Sequence, residues 1–231
     1  MTKSTNVALV GYENRVWPGF INLRKGGSKM IQELIEQIIY IEWKMMISIT
    51  AIDDPEGCRE DPVTFRIMRQ SQHLIWSEDT LSSLLADFQL ADSQQVNMVA
   101  ERYAHMMKVT NPSEYEQIKN GLRPVTTEAV QIVEKIMKVF SAWNAQVDMR
   151  YPNIRSLGRP AKENDTWTSV DTYLRGELLT YSEKTLSLCL KDIYQAHIQS
   201  INLSEMILQN MARCYKFQSI DEMEKQIASF V

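Results

Sequence analysis

The chain has 231 residues, 44% of them hydrophobic and 23% charged, a balance that supports a buried core and excludes a disordered polar chain. Eight Gly and seven Pro are few for this length, which disfavours an all-β protein full of tight turns and favours long helices. A net charge of -4 with dispersed Lys and Arg excludes the basic footprint of a nucleic-acid binder.

Cys58, Cys189 and Cys214 are widely spaced and lack a CxxC pair, so reduced thiols are expected rather than a disulfide framework or zinc knuckle. The apolar run near the start, Asn6 to Gly11, is too short for a signal-peptide core, and no segment approaches about eighteen uninterrupted apolar residues. A cytoplasmic protein is the expectation.

In chain order, residues 1–27 lack helical periodicity and contain Trp17-Pro18-Gly19 and Gly26-Gly27, which predicts an N-terminal arm. From Ser28 to about Ile49, apolar residues at Ile31, Leu34, Ile35, Ile38, Met45 and Met46 form one face of a first helix. Asp53 to Cys58 reads as a loop, and Asp61-Pro62 as an N-cap followed by proline at the first helical position. The second helix runs to about Ile75.

The stretch Trp76 to Asp87 returns as Tyr181 to Asp192, with seven of twelve positions identical. In each copy Ser, at 77 and 182, precedes an acidic residue, the pattern of a helix start. Further helices are expected at about 96–107, in a short turn after Asn111-Pro112, and from Thr126-Thr127 to about Val147. An irregular stretch follows from Tyr151 to Thr168. The counterpart of the second helix opens at Thr168 or Ser169, the second copy of the repeat follows, and two helices close the chain at 203–215 and 220–230. The expected architecture is an all-α bundle, residues 28–231, made of two similar halves at about 28–125 and 126–231.

Polar residues on apolar faces mark the candidate site. Glu42 falls among Ile35, Ile38, Met45 and Met46, Gln72 among Phe65, Met68, Ile75 and Trp76, and Glu177 among Val170, Tyr173, Leu174 and Tyr181. Gln72 and Glu177 are also equivalent under the repeat offset. A buried carboxylate needs cations or donors, for which Arg69 and Arg175 are nearest in sequence. One reading is an internal network that holds the halves in register; the other is a polar pocket for a small ligand. His197 falls on an apolar face, His73 and His105 on polar ones. With Glu42 and Glu177, His197 would suggest a metal set, but the Glu-x-x-His spacing of metal bundles is absent, and no metal site is assigned. Cys58, beside Arg59, lacks a nearby His to act as its base. No GxGxxG or P-loop pattern signals nucleotide binding, and the sequence points to no particular cofactor.

The segment Asp61 to Gln72, the following Trp76-Ser77-Glu78, and Thr172 to Ser182 together resemble the helical family catalogued as domain of unknown function 4125. The likeness covers about Met30 to Glu224 and extends to Tyr151-Pro152 and Gly158-Arg159, while Arg59 stands where a glutamine is expected. Members occur alone and fused to nucleotidyltransferase-like domains, so the resemblance implies biosynthetic or group-transfer surroundings and assigns no activity. The expectation is therefore an enzyme or accessory factor of small-molecule biosynthesis. It would hold a small polar ligand between the halves: Arg69, Arg159 and Arg175 on an anionic group, Gln72 orienting it, and Glu42 or Glu177 as general base. The alternative is a non-enzymatic helical module that partners a nucleotidyltransferase-like or other biosynthetic protein.

Overall fold

Apolar spacing and capping residues decide where each helix begins in the computed structural model, which describes residues 29–49, 61–160 and 168–229. The expected arm, the loop with Gly57, Cys58 and Arg59, and Asn164-Asp165 lie outside these residues. The first helix, α1 (Lys29–Ile47), buries Leu34, Ile35, Ile38, Ile39, Met45 and Met46 on one stripe. Asp61 caps α2 (Pro62–His73) by accepting from the backbone N–H of Val63 and Thr64, with Pro62 in the first turn. Ser77 and Ser182 cap α3 (Glu78–Ser93) and α9 (Glu183–Ile198). The repeated Ser-Glu is thus a helix start in both places.

Asn97 caps α4 (Met98–Thr110), Asn111 the short α5 (Pro112–Ile118), and Thr126 the long α6 (Thr127–Arg150). The stretch expected to be irregular contains one more short helix, α7 (Pro152–Ser156), because Pro152 pre-sets the first-turn backbone after Tyr151. Ser169 caps α8 (Val170–Leu178), and α10 (Leu203–Cys214) and α11 (Ile220–Ala228) end the described chain. All regular structure among the described residues is helical.

The main core lies between α1, α3, α6 and α9, with Ile35, Ile38, Leu81, Leu84, Phe88, Val133, Ile136, Leu186 and Ile193 essentially excluded from solvent. A smaller core of Val147, Tyr151, Ile154, Leu208, Ala212, Ile220 and Met223 seats α7 and α11 on α6 and α10. The two repeated helices grip each other reciprocally. Asp192 accepts from the Ser77 backbone N–H at 2.9 Å, and Asp87, its counterpart, accepts from that of Ser182 at 3.0 Å.

Both repeated helices also end alike. Gln95 and Ser200 take left-handed φ of 59° and 57°, and the following Val96 and Ile201 N–H groups return to Ala91 and Ala196, closing each helix with a Schellman-type turn. Around this pair, α4 packs on α8 and α10 on α2. These matches concern the repeated helices and their flanks; equivalence of the whole halves 28–125 and 126–231 remains an expectation.

Candidate functional site

Four helices each place a charged residue where its own apolar stripe would otherwise continue. Glu42 on α1 is wholly buried, Arg69 on α2 and Arg102 on α4 are 3% and 2% exposed, and Glu177 on α8 is 6% exposed. Two carboxylates and two guanidiniums therefore meet in the interior, a formally neutral set. Burial of charge costs several kcal/mol per ion even after relaxation, so its survival depends on close pairing of the opposite charges.

The pairing is dense. Arg69 donates from Nε to Glu42 Oε2 at 2.9 Å and from Nη2 to Glu42 Oε1 at 2.6 Å, a two-pronged contact. It also donates to both oxygens of Glu177, from Nη1 to Oε2 at 3.3 Å and from Nη2 to Oε1. Arg102 Nη2 bridges the same two carboxylates, at 3.1 Å to Glu42 and 3.3 Å to Glu177. His73 Nε2 lies 3.0 Å from Glu42 Oε2; opposite an ionised carboxylate this nitrogen carries the hydrogen. Tyr181 donates its hydroxyl to Glu177 at 2.7 Å.

The electrostatics follow. Burial pushes the Glu42 carboxyl up, but Arg69, His73 and Arg102 outweigh it and hold its pKa well below the ordinary value of 4.5. For Glu177 burial is likewise outweighed, by Arg102 and Arg69, and the pKa falls to about 2. Burial and then the Glu177 charge push the Tyr181 phenol well above its ordinary value. Both carboxylates stay ionised at neutral pH and take up protons poorly.

One glycine makes the arrangement possible. A Cβ on Gly176 would stand 2.7 Å from the Arg102 carbonyl oxygen and 2.8 Å from Met106 Cγ. The missing side chain lets α8 approach α4 closely enough for Arg102 to reach Glu177, the next residue along α8.

Above the ionic cluster lies a cavity of about 30 Å³, partly open to solvent and lined by Met46, Phe65, Met68, Arg69, Gln72, Arg102, Tyr103 and Tyr173. Such a volume has room for about two waters, and its open side extends it toward solvent. Gln72 accepts from Arg69 through its side-chain oxygen. Tyr173 accepts from Arg102 Nη1 at 2.6 Å, and the guanidinium carbons of Arg102 and Arg159 lie 5.3 and 4.6 Å from its ring centroid.

The structure brings together Glu42, Arg69, Gln72 and Glu177, with Arg159 at the edge against Tyr173. It does not bring Arg175, which pairs with Glu134 on the outer side of α8. Two residues before Glu177, Arg175 is turned about 200° around the helix from it. Two histidine assignments are also corrected. His73 is buried, with 1% exposure, because α1 and α10 both cover α2. His197 is exposed in the last turn of α9. Sequence reasoning missed Arg102, although the helical spacing of Met98, Arg102 and Met106 puts it on the inner face of α4, and it counted Tyr173 and Tyr181 only as apolar neighbours. Among the described residues no three His, Cys, Asp or Glu side chains gather to hold a metal ion, and no helix is long and apolar enough to cross a membrane.

Fold and site together define an all-α protein with a self-neutralised ionic cluster beneath a small cleft. The family described as "Protein of unknown function (DUF4125)" matches residues 32–225, and the chain belongs to it. No curated protein and no solved structure matches the chain significantly.

Proposed function

We propose that this protein binds a small polar ligand in the cleft between α1, α2, α4 and α8, as an enzyme or accessory factor of small-molecule biosynthesis. The observation behind this reading is the convergence of Arg69, Gln72, Arg102 and Tyr173 on one solvent-connected cavity. The biosynthetic setting rests only on the fusion of related domains to nucleotidyltransferase-like domains. With both carboxylates held in the ionised form by arginine, Glu42 and Glu177 fit the role of anchors that orient Arg69 and Arg102 better than that of general base.

The dense pairing of the two carboxylates and the small cavity favour a second reading, a helical module whose ionic core fixes the fold while its surface meets a protein partner. Thermal unfolding against amino acids, nucleotides and divalent metals separates the two, since a ligand of the folded state raises the transition temperature by mass action. A stabilising compound whose effect disappears in Gln72→Leu supports the cleft. A panel without effect, with Gln72→Leu folding normally, favours the module.

A further inference from the structure

The cavity's polar lining is dominated by donors, and this narrows the ligand class if the cleft is the binding site proposed above. Arginine offers only donors, so the Gln72 side-chain oxygen must face Arg69 and its amide nitrogen is turned away. That NH₂ group has no acceptor among the described residues. The Tyr173 oxygen accepts from Arg102, and its own O–H likewise has no acceptor among them. Arg102 Nε is buried and unpartnered, an unmet donor in the ionic cluster. The remaining walls are Met46, Phe65 and Met68, which offer no strong acceptor, and Tyr103, whose hydroxyl donates toward Met46 Sδ at 4.0 Å. The positive charge of Arg159 lies over the Tyr173 ring.

Glu42 and Glu177 neutralise the arginines below but spend their oxygens on Arg69, Arg102, His73 and Tyr181. We infer that the cleft takes a carboxylate, held by the Gln72 NH₂ and the Tyr173 hydroxyl and carried on a short apolar body that lies against Met46, Phe65 and Met68. A neutral amide of the same shape accepts through one oxygen only, presents an NH₂ where the carboxylate has its second oxygen, and lacks the charge that strengthens these bonds, so the site discriminates by charge and by acceptor count.

Methyl-labelled methionine gives a direct readout, because Met46 and Met68 line the cleft while Met149, 77% exposed, reports non-specific effects. Propionate is titrated beside propionamide. The expected result is movement of the Met46 and Met68 methyl signals with propionate and not with propionamide, and a dissociation constant raised about tenfold or more in Gln72→Leu and in Tyr173→Phe. Equal movement with both compounds overturns the carboxylate assignment and leaves the cleft standing as a ligand site. Propionate shifts unaltered in both variants overturn the donor assignment. If neither compound moves either signal the carboxylate assignment also fails, and the thermal panel then decides separately whether the cleft binds any ligand.

Discussion

Two buried clusters in this bundle solve the same packing problem with opposite chemistry. Under the offset that aligns the repeat, Gln72 and Trp76 correspond to Glu177 and Tyr181, while Arg69 and Arg102 correspond to Leu174 and Ile207. Around Trp76 the interior is aromatic: its ring lies 6.3 Å from that of Phe140, which meets Trp143 edge-on at 5.4 Å. Around Tyr181 the interior is ionic. The aromatic cluster is held by area removed from water, tolerates changes of similar volume and has no titrating group. The ionic cluster holds only while every member is present, and depends on pH.

Replacing one member of each cluster with leucine exposes this difference most strongly. Arg69→Leu strips both carboxylates of their main partner and is expected to cost about 3–5 kcal/mol. Phe140→Leu keeps an apolar side chain in an apolar site and should cost under about 1.5 kcal/mol. Urea unfolding of the two variants checks the ordering, and equal losses would erase the contrast.

Next in size is the packing contact that supports the ionic cluster alone. Gly176→Ala drives a methyl group into the Arg102 carbonyl and Met106, for an expected loss of about 1–3 kcal/mol. The same substitution should weaken binding at the cleft by displacing Arg102, which a ligand titration of the folded variant would show.

The pH dependence follows from depressed carboxylate pKa values, with Glu177 at about 2 and Glu42 also below the ordinary 4.5. The unfolded chain begins to bind protons at these groups near 4.5 while the folded chain does not. Their contribution is therefore fully present above that pH and fades as pH falls toward about 2. Urea midpoints of the native protein should fall more steeply across this window than those of Glu177→Gln. Parallel curves would remove Glu177 from the acid response.

The smallest effect is expected at Arg175→Ala, which removes a partly exposed pair with Glu134 and should cost under about 1 kcal/mol, with ligand binding unchanged.

Much of the fold was legible because it is written locally. Asp61-Pro62, Ser77, Thr126 and Ser182 mark helix starts through capping preferences that need no tertiary context. Glu42, Gln72 and Glu177 were legible because a polar residue inside an apolar stripe needs a partner. Arg102 carries the same signal more weakly, since a single arginine at a helical spacing is ordinary until its neighbour is known. The burial of His73 was not written in α2: its apparently polar face is covered by α1 and α10, and a helical wheel does not report how many sides of a helix are covered. Arg175 is near Glu177 in sequence but does not share its face, because two residues along a helix turn the side chain by about 200°. The cleft itself depends on the α4–α8 spacing set by Gly176, and a lone glycine inside a helix does not say which helix it admits.

The most direct measurement is a carbon-detected NMR titration of the glutamate side chains between pH 7 and pH 2, following Glu42 and Glu177 in the folded protein. If the cluster is a paired ionic anchor, both carboxyl carbons hold their ionised shifts as the pH passes the ordinary glutamate value of 4.5, and Glu177 begins to change only as the pH approaches about 2. A Glu42 or Glu177 that takes up its proton near neutral pH would contradict this: the carboxylate would then be poised as a base, and the anchor role would fall.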